Sequence, residues 1–374
     1  MIKYIGSKRA LLRHILAAIA AIMPPDAPGG AVVADLFSGT ARVGHALKAA
    51  GYRVIANDHN AYAAALARCY VQADAERWSA TVPAILAELA RLPGRAGYFT
   101  ETFCLRSRFF QPRNGERVDA IREAIVAMGA EPELEAILLV SLMEAADRVD
   151  STAGLQMAYM KRWAPRAFND LELRMPALLP RPAAGACRAL MGEAEDVAAD
   201  IEADIAYLDP PYNQHAYLAN YHVWETLVRW DKPEVYGIAC KRLDVRRRKS
   251  AFNARGAIGP ALARTIAALR APALVVSFNN EGYLARNEIE TMLAGRGHVQ
   301  VIELDHARYV GARIGIYSPA GKKVGRVSHV RNKELLYVVT PRPVALEALA
   351  ATAPRAPPRR GSRRSRQGPP PPGA

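Results

Sequence analysis

The chain has 374 residues, 51% hydrophobic and 23% charged, with a net charge of +14 and a pI near 9.8. That length predicts one main domain plus an insertion or small second domain, and the positive balance favours a polyanionic partner over a merely soluble basic surface. Four scattered cysteines without a CxxC pair, the lack of a signal-peptide cleavage pattern and the lack of any span-length apolar run argue against zinc, disulfides and membrane insertion; a metal-free protein of the reducing cytoplasm is expected.

The chain opens with Lys3-Tyr4-Ile5-Gly6-Ser7-Lys8, a basic, glycine-hinged loop that means little by itself, ahead of a helical pattern over Leu11–Met23. Strand-like runs and helical patterns then alternate, which predicts α/β construction. Strands are expected at Val32–Phe37, Arg53–Asn57, Arg188–Met191, Ile205–Leu208, Ala273–Phe278, Val299–Leu304 and Leu335–Thr340. Further helices are expected at Val43–Ala50, Ala61–Ala73, Val82–Arg91, Val118–Met128, Leu134–Arg148, Val223–Trp230 and Ile258–Leu269, with Gly259 and Pro260 blurring the start of the last. The stretch from Glu76 to Ala186 is far longer than an αβ connection needs, and reads as an inserted, largely helical subdomain (76–186) between catalytic segments 1–75 and 187–340. Val299 to Thr340 reads as an antiparallel finish. Residues 353–374 are rich in Pro, Arg, Gly and Ser, hold six arginines and no acid, and are expected to be disordered.

The first chemical signal is Asp35-Leu36-Phe37-Ser38-Gly39-Thr40, after an apolar strand and before a helix. Small residues there let the backbone turn sharply and come close to a ligand at a helix start. Asp58 ends the next strand, where a carboxylate can accept hydrogen bonds from both ribose hydroxyls of an adenosyl ligand. The spacing is not GxGxxG, so a nucleoside fits better than a dinucleotide. A glycine turn with a surface acid is the plain alternative.

The second is Asp209-Pro210-Pro211-Tyr212, directly after the apolar run Ile205–Leu208. Two prolines cannot donate to a ladder, so they end the strand in a rigid turn at the carboxyl edge of the sheet, where open α/β folds bind ligands. The amine of adenine is a poor nucleophile, because its lone pair is delocalised into the ring. Asp209 and the Pro210 carbonyl can accept its two N–H bonds and stabilise the charge that develops on nitrogen. Tyr212 can stack on a flipped base, worth about 1–3 kcal/mol.

With these elements in this order the chain resembles the D12 class of adenine-specific DNA methyltransferases, which includes Dam-like enzymes. The likeness covers most of residues 1–340. It implies a fold of the S-adenosylmethionine (SAM)-dependent methyltransferase type, Rossmann-like, with a mixed seven-stranded sheet. It assigns SAM to Tyr4, Lys8, Asp35, Phe37, Ser38, Gly39, Thr40 and Asp58, and transfer to the Asp209–Tyr212 turn. The inserted segment is then the target-recognition region. The family's acid after the third strand, an Asp that contacts the cofactor's adenine ring, is matched here by Glu193.

Beyond these motifs, His215 and Tyr217 are expected to wall the flipped adenine or fill the gap it leaves, while Trp224 reads as ordinary helix packing. The run Lys241, Arg242, Arg246, Arg247, Arg248 and Lys249 is expected to follow phosphates, and Arg106, Arg108 and Arg113 to contact DNA from the insertion, beside Phe109 and Phe110. Asn279-Asn280-Glu281 falls near the site by sheet geometry, with no assigned role. The expected activity is N6 methylation of adenine in double-stranded DNA by a monomer, with room for a cognate endonuclease. Methylation of adenine in RNA, of cytosine N4, or a non-catalytic nucleic-acid-binding role remain the alternatives, although cytosine N4 enzymes favour Ser where Asp209 stands.

Overall fold

The computed structural model describes residues 1–214, 216–307, 316–317, 323–325 and 331–346. Its centre is a seven-stranded sheet of β1 (Val32–Asp35), β2 (Arg53–Asp58), β3 (Arg188–Met191), β4 (Ile205–Leu208), β5 (Ala273–Asn279), β6 (His298–Ala307) and β7 (Arg331–Thr340). The strand order is β3-β2-β1-β4-β5-β7-β6. The pairs among β3, β2, β1, β4 and β5 are parallel, and β7 runs antiparallel to both of its neighbours. The sheet is therefore mixed, and its strand order reverses between β1 and β4. Ligands gather beyond the carboxyl ends of the strands at such a point.

The central strands are mostly apolar because both faces are covered: β4 and β5 are buried along their whole length. One face packs on α8 (Ile258–Ala268) and α9 (Arg286–Ala294), with Leu262, Ile266, Ile289 and Leu293 against Leu208, Leu274 and Val276. The other carries α1 (Leu12–Ile22), α2 (Arg42–Ala49), α3 (Ala61–Ala67) and α7 (His222–Arg229). The inserted segment adds α4 (Val82–Arg91), α5 (Pro112–Met128) and α6 (Pro132–Arg148). Its Phe99, Phe103, Ile137, Leu138 and Leu142 share one continuous core with Ile15, Val33 and Tyr207.

Helices α5 and α6 start earlier than their apolar periodicity suggests, because Pro112 and Pro132 sit in the first turn, where a missing N–H costs nothing. Pro260 is tolerated in α8 for the same reason. The helical pattern over Ala61–Ala73 divides into α3 and a π-helical turn, Arg68–Gln72. Two short ribbons, Val235–Tyr236 with Lys241–Arg242 and Ile316–Tyr317 with Lys323–Gly325, stand off the main sheet. No helix among the described residues is long and apolar enough to cross a membrane.

Candidate active site

Every element that builds the site ends at the same edge. The turn after β1 is pinned by Leu36 N–H donating to the Tyr207 carbonyl (3.1 Å) and Ser38 N–H donating to the Asn57 carbonyl (2.9 Å). Gly39 takes φ +54°, and a Cβ there would meet the Tyr4 ring at 3.4 Å. The left-handed conformation favours glycine at this position, and the Tyr4 ring lies in van der Waals range of it. The N-terminal loop makes the matching approach through Gly6, φ +73°, under the Tyr217 hydroxyl.

These loops enclose a cleft of about 750 Å³, its open mouth included. Its walls include Tyr4, Lys8, Asp35, Phe37, Ser38, Gly39, Thr40, Asp58 and Glu193, so the structure brings all nine of these residues together. Asp58 Oδ2 accepts from Gly39 N–H (2.9 Å) and Oδ1 from both Asn60 N–H (2.9 Å) and Asn60 Nδ2 (3.2 Å), which orients the carboxylate and leaves a lone pair on Oδ2. Asp35 is 1% exposed and accepts from Gly44 N–H (3.2 Å). Burial, reinforced by nearby Asp209, pushes its carboxyl up to about 7. Glu193 sits at the cleft wall with His59 Nδ1 at 2.9 Å, and that hydrogen bond holds its carboxyl below the usual range. Phe37 meets Phe252 edge-on at 4.9 Å, closing the far side. Tyr4 lies parallel to Tyr217 (5.1 Å) and to Tyr221 (4.6 Å).

The Asp209–Tyr212 turn stands where the sequence pattern puts it, at the end of β4. Asp209 Oδ1 lies 3.0 Å from Lys8 Nζ. Burial pushes the Asp209 carboxyl up to about 6, with the Lys8 ammonium opposing and Glu334 adding to the rise. Burial alone would depress the Lys8 ammonium, but Asp209 and Glu334 outweigh it and hold it well above its ordinary value. Asp209 and Pro211 face the cleft, whereas Tyr212 packs on Phe278 (5.6 Å) beside it. Its ring also lies 5.9 Å from Lys8 Nζ.

Two residues that the motifs did not assign belong to this site. Glu334 on β7 pairs with Lys8, and Asn279 Nδ2 donates to Glu334 Oε2 (3.3 Å). The Asn279 position was legible from its place after a parallel strand. Glu334 was not, because the antiparallel strand that carries it lies more than three hundred residues from Lys8.

The residues expected on DNA divide. Tyr217 faces the cleft, in the tyrosine stack, and His215 lies outside the described residues. Arg242 is 1% exposed and grips Asp231 through two hydrogen bonds of 2.6 Å, with Asp244 at 3.1 Å. It is occupied inside the fold, away from any phosphate-facing surface. Arg248 pairs with Glu225 (3.0 Å) and donates to the His59 carbonyl (3.4 Å), which ties it to the cleft wall. Lys241 is half-buried, Arg246 stacks on Tyr236 (4.0 Å), and Arg247 and Lys249 are exposed. In the insertion, Arg106 is exposed, Arg108 stacks on Trp163 (4.8 Å) and Arg113 pairs with Asp170 (3.2 Å). Phe109 and Phe110 are buried and belong to the core, as does Trp224.

The model of the D12 class N6 adenine-specific DNA methyltransferase family matches residues 4–277. Type II methyltransferase M.NlaIII of Neisseria lactamica is 29% identical over 314 residues, which cover 82% of this chain and 92% of the relative. Type II methyltransferase M.FokI of Planomicrobium okeanokoites is 31% identical over 317 residues, 79% of this chain and 47% of the relative. Modification methylase StsI of Streptococcus sanguinis is 27% identical over 325 residues, 82% of this chain and 48% of the relative. The chain thus spans most of the first relative and about half of the other two.

Proposed function

Because the chain belongs to the D12 class of N6 adenine-specific DNA methyltransferases, we propose that its cleft holds SAM and that Asp209–Tyr212 receives a flipped adenine. The observation that carries this reading is the meeting of Asp209, Asp58, Lys8 and the Phe37–Thr40 turn in one cleft at the point where the strand order reverses.

The cleft suits a cationic adenosyl ligand. It carries the carboxylates of Asp35, Asp58, Glu193 and Asp209, and Asp35 among them is buried without a cationic partner among the described residues, which is costly. Its wall also holds buried polar atoms that have no protein partner, namely Asn57 Oδ1, Asn60 Oδ1 and the Tyr207 hydroxyl. Asp58 would take the ribose hydroxyls, Phe37 and Phe252 would flank the adenine ring, and Glu193 would lie beside it. Bound there, SAM supplies an electrophilic methyl group. Asp209 accepts one N–H of the target amine and the Pro210 carbonyl the other, which turns the nitrogen lone pair toward the methyl group. The proton that the amine sheds passes toward Asp209, whose raised pKa suits it to accept. Tyr212 stacks on the flipped ring, and the packing on Phe278 holds it there.

The substrate is double-stranded DNA, and the exposed cations Arg246, Arg247 and Lys249 supply sequence-independent attraction to its backbone. The inserted segment, residues 76–186, chooses the sequence. Calorimetry with SAM, followed by methyl transfer to duplex DNA, tests the assignment of parts. Asp209→Ala should abolish transfer and leave SAM affinity near wild type. Equal loss of both would remove Asp209 from the amine and return it to the cofactor.

A further inference from the structure

Glu334 belongs to none of the motifs, yet it is among the most buried acids in the protein, 3% exposed. It stands on β7 with Asn279 of β5 as its register partner. Its Oε1 accepts from Lys8 Nζ and from Ser277 Oγ (2.8 Å), and its Oε2 from Asn279 Nδ2 (3.3 Å). Three donors thus hold the carboxylate in one orientation. The Lys8 ammonium, itself buried, has Asp209 Oδ1 as its other anionic neighbour at 3.0 Å. One cation therefore stands between two carboxylates, one at the end of β4 and one on β7.

We propose that Glu334 is a positioning residue for methyl transfer: it takes half of the Lys8 ammonium, so that Asp209 keeps lone pairs free to accept the adenine amine. A buried ammonium needs a counter-charge. With a single acid in reach, Lys8 would close fully on Asp209, lowering its basicity and competing with the amine for its lone pairs. With Glu334 behind it, the cation is shared. The other titratable groups facing Asp209 are Asp35 of β1, Tyr207 of β4, and Tyr212 and Tyr217 beyond the turn. Among the described residues, Lys8 is the cation that acts on Asp209. The inference rests on Asp209 being the acceptor of the amine, and the experiment separates the two.

The single-turnover rate of methyl transfer is measured against pH for wild type, Glu334→Gln and Asp209→Asn, together with SAM affinity and Tm. Glutamine preserves the shape and can keep an oxygen on Lys8 and Ser277, but it removes the anion and turns a donor toward Asn279. Glu334→Gln should slow transfer by roughly tenfold or more with SAM affinity changed by less than about threefold. Its acid limb should move to lower pH by about half a unit or more, because Asp209 loses an anionic neighbour and keeps its cation. A merely structural role would lower Tm and leave that limb in place. If Asp209→Asn transfers at the wild-type rate, the reading of Asp209 itself is wrong. If Asp209→Asn is inactive while Glu334→Gln matches wild type in rate and limb, the role of Glu334 is overturned. Should Glu334→Gln not fold, Lys8→Gln is compared with Lys8→Gln/Glu334→Gln, where no buried cation is left unpaired. The acid limb should lie at higher pH in the single variant than in the double, and equal limbs would overturn the proposal.

Discussion

At the scale of single residues, Asp209 and Asp58 are both acids at the ends of strands, and their surroundings give them different work. Asp58 is tied down by Gly39 and Asn60 and faces the cleft mouth. Asp58→Ala should weaken SAM binding by about 1.5–3 kcal/mol, the size of a hydrogen bond to a charged acceptor, with less change in turnover at saturating SAM. Unchanged affinity in calorimetry would make Asp58 a cap for the Gly39 turn and nothing more. Asp209 is pushed up to about 6, chiefly by burial. A protonated carboxyl is a weaker acceptor for the amine and cannot take the proton that the amine sheds. The transfer step should therefore hold at neutral and alkaline pH and fall as pH drops through about 6. A transfer rate flat down to about pH 5 in single-turnover measurements would contradict an ionised Asp209 as the acceptor.

At the scale of elements, the ribbon formed by Val235–Tyr236 and Lys241–Arg242 shows how a basic run separates into different roles. Arg242 braces the ribbon through Asp231 and Asp244, while Arg246 and Arg247 project outward. Arg242→Ala should cost on the order of 3 kcal/mol of stability, less than a fully buried pair because both carboxylates are about a third exposed. Neutralising Arg246 and Arg247 together should leave Tm near wild type and flatten the salt dependence of DNA binding by about two counterions. If thermal melts and salt titrations give the reverse pattern, the division is wrong. This split was not legible from the run of cations, because spacing along a chain says nothing of a fork closed on Asp231, eleven residues earlier. The apolar runs did disclose all seven strands: the central strands β4 and β5, buried on both faces, leave short, nearly continuous hydrophobic segments. Helix α9 was missed because its charged residues, Arg286, Glu288 and Glu290, outnumber the buried Ile289 and Leu293 in the local pattern. The cleft was readable from its two motifs because glycine turns and double prolines impose backbone geometry locally. Glu334, Asn60 and Phe252 were not, because only the folded sheet brings them to the same edge.

At the scale of the whole molecule, the helices between β2 and β3 continue the core of the sheet domain, so the segment we propose to read DNA and the cleft are held by shared packing. The positive charge is spread between that body and the arginines of residues 353–374, which lie outside the described residues. Removing 353–374 should weaken DNA binding modestly at low salt and leave the methylated sequence unchanged, whereas changes at Arg106, Arg108 or Arg113 should alter which sequence is chosen. A shift of the recognised sequence on tail removal alone would reverse that assignment. The chain is an adenine-specific DNA methyltransferase by family, and we propose that one carboxylate at the end of β4, Asp209, carries that activity. The most direct test is to express wild type and Asp209→Ala in a host that lacks DNA methylation, and to sequence the host DNA by a method sensitive to base modification. The account predicts N6-methyladenine at one recurring short sequence with wild type and none with Asp209→Ala. Methylated cytosine, or the same adenine marks with both proteins, would contradict it.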